Sequence, residues 1–381
     1  MINFFCRHYK AYRPCVFNKT DGSECPSCTH VSDFNQRVLF IKLDAIGDVL
    51  RSASLLPDIV ARHEAPYIAW LTRRDSIELV RMMKYVDEVI ELSEVGMARV
   101  MTGSWDHVYS LSNDLASASI ASSAPAKNLP VGYYVRGGII EPSNAAARHW
   151  LEMAAFDRLK RQNKQSYQHL MRAILGLDDA AVSRPALELA NHLRVAAGAR
   201  VSALFPRSTR RRVAVNVGAS GRWPKKMLTI EQIHQYVDRL LTRADVDIMI
   251  VGGAAEVEKT KSILTMCGSN ERIRAALTET SIPEFVAVLA EADALLCGDT
   301  LALHIATAIG LPTVAVFGPT SIAEIPDFDG LIAKVATPAL DCLGCYGDCA
   351  KQDNCMSLLD LDHLVHLTVI KLARPAARAR G

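Results

Sequence analysis

Short apolar segments rich in β-branched residues alternate with segments of helical periodicity along most of the 381 residues. When helices flank such a short run, it is typical of a strand that is buried on both faces of a parallel sheet. We predict strands of this kind at 37–43, 67–71, 88–92, 107–111, 213–217, 246–251, 294–297 and 313–317. The alternation therefore predicts an α/β fold with doubly wound parallel sheets.

The strands fall into two series, and a basic stretch at 207–212 separates them as the end of a linker. Helices are predicted in the intervals, at 49–63, 76–85, 143–176, 230–243, 256–267, 282–292, 302–309 and 358–372. The length suits two domains of ordinary size. We expect two Rossmann-like domains facing a central cleft, at 36–200 and 212–350, with a small cysteine-rich leader at 1–35 and a closing helix and basic tail at 356–381.

Charge and hydropathy exclude several classes of protein. The 43 basic and 41 acidic side chains give a net charge of +2, which predicts no nucleic-acid partner. No apolar run reaches the roughly 18 residues that a transmembrane helix needs. The start of the chain also lacks the apolar core of a secretory signal. We expect a cytoplasmic protein without a transmembrane segment.

Four turns carry the candidate site residues, because ligands of open α/β sheets bind beyond the carboxyl ends of the strands. The first turn, at 44–48, follows Lys42 and contains Gly47, which permits a tight turn or the close approach of a ligand. Asp48 stands at the start of the next helix. Its carboxylate either caps that helix or accepts a proton from a bound substrate.

The second turn reads Gly-Ala-Ser-Gly-Arg-Trp-Pro-Lys-Lys at 218–226. A glycine-rich loop with cations after a strand is typical of a diphosphate cradle, although a solvated basic loop has the same composition. The candidate ligand-binding residues here are Gly218, Ser220, Arg222, Lys225 and Lys226.

The third and fourth turns open helices. Glu256, in the turn at 252–256, either holds ribose hydroxyls or is an ordinary acidic residue of a helix start. Gly298, Asp299 and Thr300 precede a helix whose first N–H groups can bind a phosphate. His304 follows about one helical turn later, as a ligand-binding histidine or a packed one.

Eight of the ten cysteines fall into two clusters, Cys6, Cys15, Cys25 and Cys28 in the leader and Cys342, Cys345, Cys349 and Cys355 near the C-terminus. In a reducing compartment, clustered cysteines indicate metal ligation more than disulfides. Each cluster can close a tetrahedral structural site for zinc, or for iron, and His8 and His30 are spare ligands in the leader. The alternative is a set of reduced, unligated thiols. We expect Cys267 and Cys297 in the core.

Three ordered motifs resemble those of glycosyltransferase family 9, the heptosyltransferases. They are RVLFIKLDAIGDVLRSASLLP at 37–57, GASGRWPKK at 218–226 and DALLCGDTLALHIATAIGLPTVAVFGPT at 293–320. The resemblance extends over about 37–370. It implies a GT-B architecture and an inverting, metal-independent transfer. The C-terminal domain would bind the donor, and mainly the N-terminal domain would bind the acceptor.

The resemblance also implies roles for the matched residues. Asp48 would be the general base toward the acceptor hydroxyl, and Lys226, aided by Arg222, would neutralise the leaving diphosphate. Donor phosphate or sugar would contact Asp299 and Thr300, and ribose would contact Glu256.

Two positions depart from the family pattern. Leu301 stands where the family usually has glycine, which bears on how closely phosphate approaches the backbone there. Met227 and Leu228 replace the aromatic residue that usually follows the phosphate lysine, so that Lys225 competes with Lys226 for this role.

The activity implied is transfer of a heptose, or a similar sugar, from an ADP-linked donor to a lipopolysaccharide core or another surface glycan. No cofactor is expected for catalysis. A lipid-linked acceptor would bring the enzyme to the inner membrane face as a peripheral protein. The alternatives are a nucleotide-sugar epimerase on the same fold, which turns over donor without acceptor, and a non-catalytic, metal-stapled binding protein.

Overall fold

The computed structural model describes residues 1–177, 182–218, 224–277, 281–338, 340–347 and 349–373. These form two compact units. The first comprises Met1–Glu152 and Leu170–Ser183, and the second comprises Met153–His169 and the described residues from Arg184 onward.

The first unit contains a six-stranded sheet in the order β3-β2-β1-β4-β5-β6. Its strands are β1 Gln36–Ile41, β2 Pro66–Thr72, β3 Glu88–Glu91, β4 His107–Ser110, β5 Val131–Arg136 and β6 Ile139–Pro142. The first five are parallel, and β6 pairs antiparallel with β5 at the edge. The central strand β1 is buried over its last four residues, which is the pattern expected of a strand covered on both faces.

The helices that complete this unit are short. They are α1 Val16–Asp21, α2 Ile46–Ser52, α3 Leu56–Arg62, α4 Ile77–Arg81, α5 Glu94–Met101, α6 Leu115–Ser123, α7 Ala145–Ala155 and α9 Tyr167–Ile174, of which α7 and α9 each extend across a unit boundary. The single helix predicted at 49–63 is interrupted by a 3₁₀ turn at Ala53–Leu55. The interruption has a local cause, since Pro57 lies in the first turn of α3, where its missing N–H does no harm.

The segment Leu170–Ser183 completes the first unit. Arg172 pairs with the carboxylate of Asp58 on α3, and the guanidinium of Arg62 donates to the carbonyls of Leu175 and Gly176. Asn144 also donates to the carbonyl of Ile174, at 2.8 Å. These bonds fasten α9 to the rest of the unit.

The second unit contains a parallel sheet in the order β12-β11-β10-β7-β8-β9. Its strands are β7 Arg211–Asn216, β8 Val246–Val251, β9 Ile273–Leu277, β10 Ala294–Gly298, β11 Thr313–Val316 and β12 Ile332–Val335. Its helices are α8 Asp157–Gln162, α10 Asn191–Leu204, α11 Ile230–Arg243, α12 Val257–Cys267, α13 Ile282–Leu289, α14 Leu301–Ile309 and α15 Leu361–Ala373. The hydroxyls of Tyr236 and Thr368 bond at 2.8 Å inside the core and join α11 to α15.

Both sheets confirm the prediction of an α/β fold with doubly wound parallel sheets, but some details differ. The predicted continuous helix at 143–176 is three helices, α7, α8 and α9. The stretch at 207–212 is not all linker, because β7 begins at Arg211. The predicted first domain at 36–200 included most of helix α10. In the structure, α10 packs against α13 and β9 and belongs to the second unit. Within the described residues, no helix is long and apolar enough to cross a membrane.

Candidate functional site

The order of the second sheet reverses at β7, with β8 and β9 on one side and β10 to β12 on the other. Such a reversal leaves a crevice beyond the carboxyl ends of the central strands, where open α/β sheets bind ligands. The turns after β7, β8 and β10 meet at this edge. They carry most of the residues that the sequence analysis selected.

Gly298 brings two of these turns into direct contact. A Cβ at this position would lie 2.1 Å from the carbonyl oxygen of Lys226, and the Gly298 N–H donates to Met227 Sδ at 3.3 Å. Met227 and Leu228 are both buried, so this apolar pair anchors the loop in place of the aromatic residue that the family usually has. The loop is thereby held on the end of β10.

Lys226 points toward the turn after β10. Its Nζ lies 3.5 Å from Asp299 Oδ2 and 3.4 Å from the Asp299 carbonyl oxygen, and its side chain is only 14% exposed. Lys225 points elsewhere, because its Nζ donates to the backbone carbonyl of Cys349. Of the two lysines, the structure places Lys226 at the candidate site.

Asp299 lies between two basic groups. Besides Lys226, its Oδ1 is 4.0 Å from Nε2 of His304, which is almost completely buried in α14. Asp299 and His304, both predicted from the last motif, therefore lie together with Lys226, and His304 is at once packed and in contact with the site.

Thr300 is the N-cap residue of α14, but its side chain makes no capping hydrogen bond. Asn216, at the end of β7, donates through Nδ2 to the Gly218 carbonyl at 2.9 Å and to Thr300 Oγ1 at 3.3 Å. The sequence analysis missed Asn216. The available signal was a polar residue that ends an otherwise apolar strand.

Glu256 lies at the same edge but has a local partner. Its Oε2 accepts from the Gly253 N–H at 2.9 Å, as an acidic residue at a helix start does. Its carboxylate also lies against Gly218, where a Cβ would be 3.0 Å from Glu256 Cδ. Ser220 and Arg222, the other residues predicted in the loop, lie outside the described residues.

The first sheet reverses in the same way at β1, between β2 and β4. There the buried Lys42 donates to the Leu111 carbonyl at 3.0 Å and pairs with Asp44 Oδ2 at 2.7 Å. Ser112 donates to the Asp44 carboxylate and accepts from the Leu43 N–H at 3.1 Å. Lys42 thus fixes the carboxylate of Asp44. The sequence analysis gave no role to Asp44 or Ser112, which come together only through strand pairing.

Asp48 occupies the first turn of α2. The N-cap residue of this helix is Ala45, whose side chain makes no capping hydrogen bond. Asp48 Oδ1 is 2.7 Å from Nη2 of Arg51. The Asp48 side chain is 34% exposed, whereas the Arg51 side chain is 11% exposed. Gly47 lies inside this helical turn, not in a tight turn before it. The result is a solvent-accessible carboxylate held by a mostly buried guanidinium.

The C-terminal cysteines lie in the segment that follows β12. The Gly344 N–H donates to the Gly318 carbonyl at 3.0 Å, which joins this segment to the turn after β11. Burial raises the pKa of the Cys355 thiol, and the nearby thiols of the cluster raise it further; these are Cys345, Cys349 and Cys342. The four sulfurs are therefore close enough to interact electrostatically.

Cys297 is fully buried in β10, as expected of a core residue, and burial raises the pKa of its thiol. Cys267 is only half-buried at the end of α12, with its Sγ 3.6 Å from Nδ1 of His234. Among the residues that the structure describes, no three His, Cys, Asp or Glu side chains are arranged as a ready metal site.

Residues 97–354 match the model of glycosyltransferase family 9 (heptosyltransferase). No curated protein matches the chain. Among solved structures, the chain is similar to the Escherichia coli ADP-heptose lipopolysaccharide heptosyltransferase II, with a TM-score of 0.64, 18% identity and coverage of 88% of this chain and 98% of that one.

Two further solved structures share the fold. A glycosyltransferase of family 9 from Veillonella parvula has a TM-score of 0.67 and 14% identity, with 89% of this chain and 97% of that chain covered. The iron-containing dodecameric glycosyltransferase TibC from enterotoxigenic E. coli has a TM-score of 0.52 and 12% identity, with 89% and 76% covered.

Proposed function

The chain belongs to glycosyltransferase family 9, and we propose that it transfers a heptose, or a similar sugar, from an ADP-linked donor to a lipopolysaccharide core or another surface glycan. The observation that carries this proposal is the pairing of Lys226 with Asp299 at the point where the second sheet reverses. It supplies a fixed cation where an α/β sheet binds the phosphates of a nucleotide.

The second unit would bind the donor. Lys226 and the N-terminal end of α14, with Thr300 at its cap, offer positive charge and N–H donors to a diphosphate. The bond from the anomeric carbon to the leaving diphosphate breaks as negative charge grows on that group, so a nearby cation stabilises the transition state. Leu301 does not remove these donors, because its backbone N–H is still present.

Asp299 has a different part, since a carboxylate beside a diphosphate is unfavourable unless it is neutralised. Its contact with Lys226 supplies that compensation, and Nε2 of His304 lies 4.0 Å from the same carboxylate. We assign two roles to Asp299: its carboxylate positions Lys226, and it binds hydroxyl groups of the donor sugar. Glu256 can offer Oε1 to ribose while Oε2 keeps its bond to the Gly253 N–H.

The first unit would supply the general base. Asp48 is accessible, and the Arg51 guanidinium keeps its carboxylate oriented. It would take the proton of the acceptor hydroxyl as that oxygen attacks the anomeric carbon, with inversion and without a metal ion. Asp44 is a weaker candidate, because Lys42 and Ser112 already engage its carboxylate.

A structural metal at the C-terminal cysteines is part of the proposal. Four thiols with one Cys-x2-Cys pair suit a tetrahedral zinc site, or an iron site. The ion would hold the segment after β12 against the turn that contains Gly318 and would take no part in the transfer. A lipid-linked acceptor would make the enzyme peripheral at the inner membrane face, on its cytoplasmic side.

Titration calorimetry with ADP, UDP, GDP and their sugars tests the donor, and product analysis with and without acceptor tests the reaction. We expect ADP and ADP-heptose to bind tightest and sugar transfer to require acceptor. Donor turnover without acceptor would favour an epimerase. Donor binding without turnover, combined with an Asp48→Asn variant that behaves like wild type in every assay, would favour a non-catalytic protein.

A further inference from the structure

We propose that the leader is a structural metal module in which the thiolates of Cys6, Cys15, Cys25 and Cys28 together hold one zinc ion. This inference goes beyond the proposed function and does not depend on it. It rests on a pocket in the leader, on the absence of buried residues within 1–33, and on the hydrogen bonds of two of the four sulfurs.

The leader borders a pocket of about 440 Å³ that is partly open to solvent, and every residue that lines it lies between Met1 and Val31. All four cysteines contribute to this lining. Cysteines that lie 22 residues apart in sequence, from Cys6 to Cys28, thus border one pocket. A pocket of this size leaves room for the sulfurs to converge on an ion.

The leader has no hydrophobic core of its own. Within residues 1–33, all of which are described, no residue is buried. Several large apolar side chains are largely exposed, among them Phe4, Phe5, Tyr12 and Val16. Because burial of apolar surface is the main driving force of folding, a segment like this needs another source of stability, and small modules commonly obtain it from a metal ion.

Backbone N–H groups contact two of the four sulfurs. The Asn18 N–H donates to Cys15 Sγ at 3.5 Å, and the His30 N–H donates to Cys28 Sγ at 3.3 Å. Cys25 opens the 3₁₀ turn Cys25–Ser27, and Cys28 directly follows that turn. In the proposed site, Cys25 and Cys28 are the Cys-x2-Cys pair that binds the ion from one short stretch of chain.

The two histidines of the leader have other contacts. The ring of His30 stacks on Phe17 at a centroid distance of 3.9 Å, and its Nε2 bonds to Asp21 Oδ2 at 2.9 Å. His8 packs edge-on against Phe17, with the ring centroids 4.8 Å apart. They form an aromatic lining, which leaves the four thiols as the metal ligands.

The thiols must move to bind an ion, because no three ligating side chains of the described residues form a ready site. Rotation about the side-chain bonds of cysteines that border one pocket provides this movement. Thiolate ligation then requires loss of the thiol protons, so that metal binding and ordering of the leader are coupled.

The position of the leader makes the ion structural. Arg7 donates to both carboxylate oxygens of Asp87, at 2.8 and 3.0 Å, and to the Pro66 carbonyl at 3.0 Å. Pro66 begins β2 and Asp87 immediately precedes β3, so these contacts lie at the amino edge of the first sheet. The ligand edge of a parallel sheet is the opposite one.

The test uses the full-length chain, purified without chelator. Alkylation of the native protein, followed by peptide mass spectrometry, should find the four leader thiols protected together and labelled after chelation. Metal analysis should find about one zinc per chain that is lost when Cys25→Ser and Cys28→Ser are combined. Cys267→Ser is the matched control, since that lone half-buried cysteine should leave the metal content unchanged.

A second double variant, Cys342→Ser with Cys345→Ser, separates the two clusters. It should keep the leader thiols protected and the leader zinc bound. Leader thiols that react freely in the native wild-type protein would overturn the proposal, and so would metal that disappears only in the C-terminal variant. Stoichiometric iron, rather than zinc, that is lost with Cys25→Ser and Cys28→Ser would overturn the choice of metal. The alkylation experiment needs no variant and decides the question even if a double variant fails to fold.

Discussion

Replacement of Gly298 by alanine tests whether the packing of the loop at 224–228 on the end of β10 sets the position of Lys226. The new Cβ would lie 2.1 Å from the Lys226 carbonyl oxygen, whereas ordinary contact begins at 3.4 Å. The obstructing atom belongs to the backbone and cannot rotate away. The loop must therefore move by about 1 Å, carrying Lys226 with it.

The expected cost has two parts. Overpacking of this kind destabilises by about 1–3 kcal/mol, and a displacement of about 1 Å in a catalytic group lowers turnover by roughly ten- to a hundredfold. Urea titration measures the first part, and kcat/KM for the ADP-linked donor measures the second. Both should change in the Gly298→Ala protein, because one displacement causes both.

A matched control is Gly198→Ala inside α10, where the new Cβ meets only Glu291 Oε1 at 3.7 Å. There the same substitution should stabilise by about 0.5–1 kcal/mol, because alanine favours the helix, and should leave turnover unchanged. If the Gly298→Ala protein has the same free energy of unfolding and the same kcat/KM as wild type, the loop does not pack on β10 as described. The placement of Lys226 then loses its support.

Three further predictions concern single side chains. Asp48→Asn should lower kcat by roughly a hundredfold or more with little change in donor affinity measured by calorimetry, as expected of a general base. Lys226→Ala should weaken donor binding and slow the transfer, whereas Lys225→Ala should change both much less, because that side chain points to the backbone of Cys349. Burial, aided by His107, lowers the pKa of His63 from 6.5 to about 4. As the pH falls, His63 is therefore protonated in the unfolded chain before it is protonated in the folded chain. The free energy of unfolding should decrease as the pH drops below 6.5, by at most about 2 kcal/mol at pH 5.

Each of these predictions has a clear contrary result. Unchanged turnover would remove Asp48 from the mechanism, and a larger effect at Lys225 than at Lys226 would shift the lysine assignment by one residue. For His63, urea titrations across the pH range should show a flatter acid limb in a His63→Gln protein, which keeps a polar partner for the Tyr109 hydroxyl at 2.7 Å but cannot titrate. An acid limb that is identical to that of wild type would assign the loss of stability to other groups.

The sequence allowed the fold class and most central strands to be predicted, because strands buried on both faces have an unbroken apolar pattern. The inner strand β5 escaped prediction, and so did the edge strands β6, β9 and β12. Strands at an edge are short and partly polar, as Arg274 in β9 illustrates, so their pattern differs little from that of a loop. The prediction of one long helix at 143–176 was wrong because periodicity alone does not show where a helical stretch breaks.

The residues of the candidate site also divide into those that a local sequence pattern predicts and those that come together only in the folded chain. Gly298, Asp299 and Thr300 could be found because neighbouring positions in one turn form a local motif. Asn216 acquires its contact with Thr300 only when β7 pairs with β10, and Asp44 meets Ser112 only when β1 pairs with β4. The Lys226 register could be decided only by the contact of its loop with Gly298.

The composition of the first unit from two separate stretches of chain has a consequence for its biosynthesis. Asp58 and Arg62 are made 113 or 114 residues before their partners in 172–176, and Asn144 is made 30 residues before Ile174. Until then, the surface that α9 will cover stays open, and that helix contributes the buried side chains of Met171 and Ile174. The nascent first unit thus lacks these bonds and this packing until the intervening residues 153–169 and helix α9 have been made, and we expect a fragment that stops at Glu152 to be less stable than the complete unit.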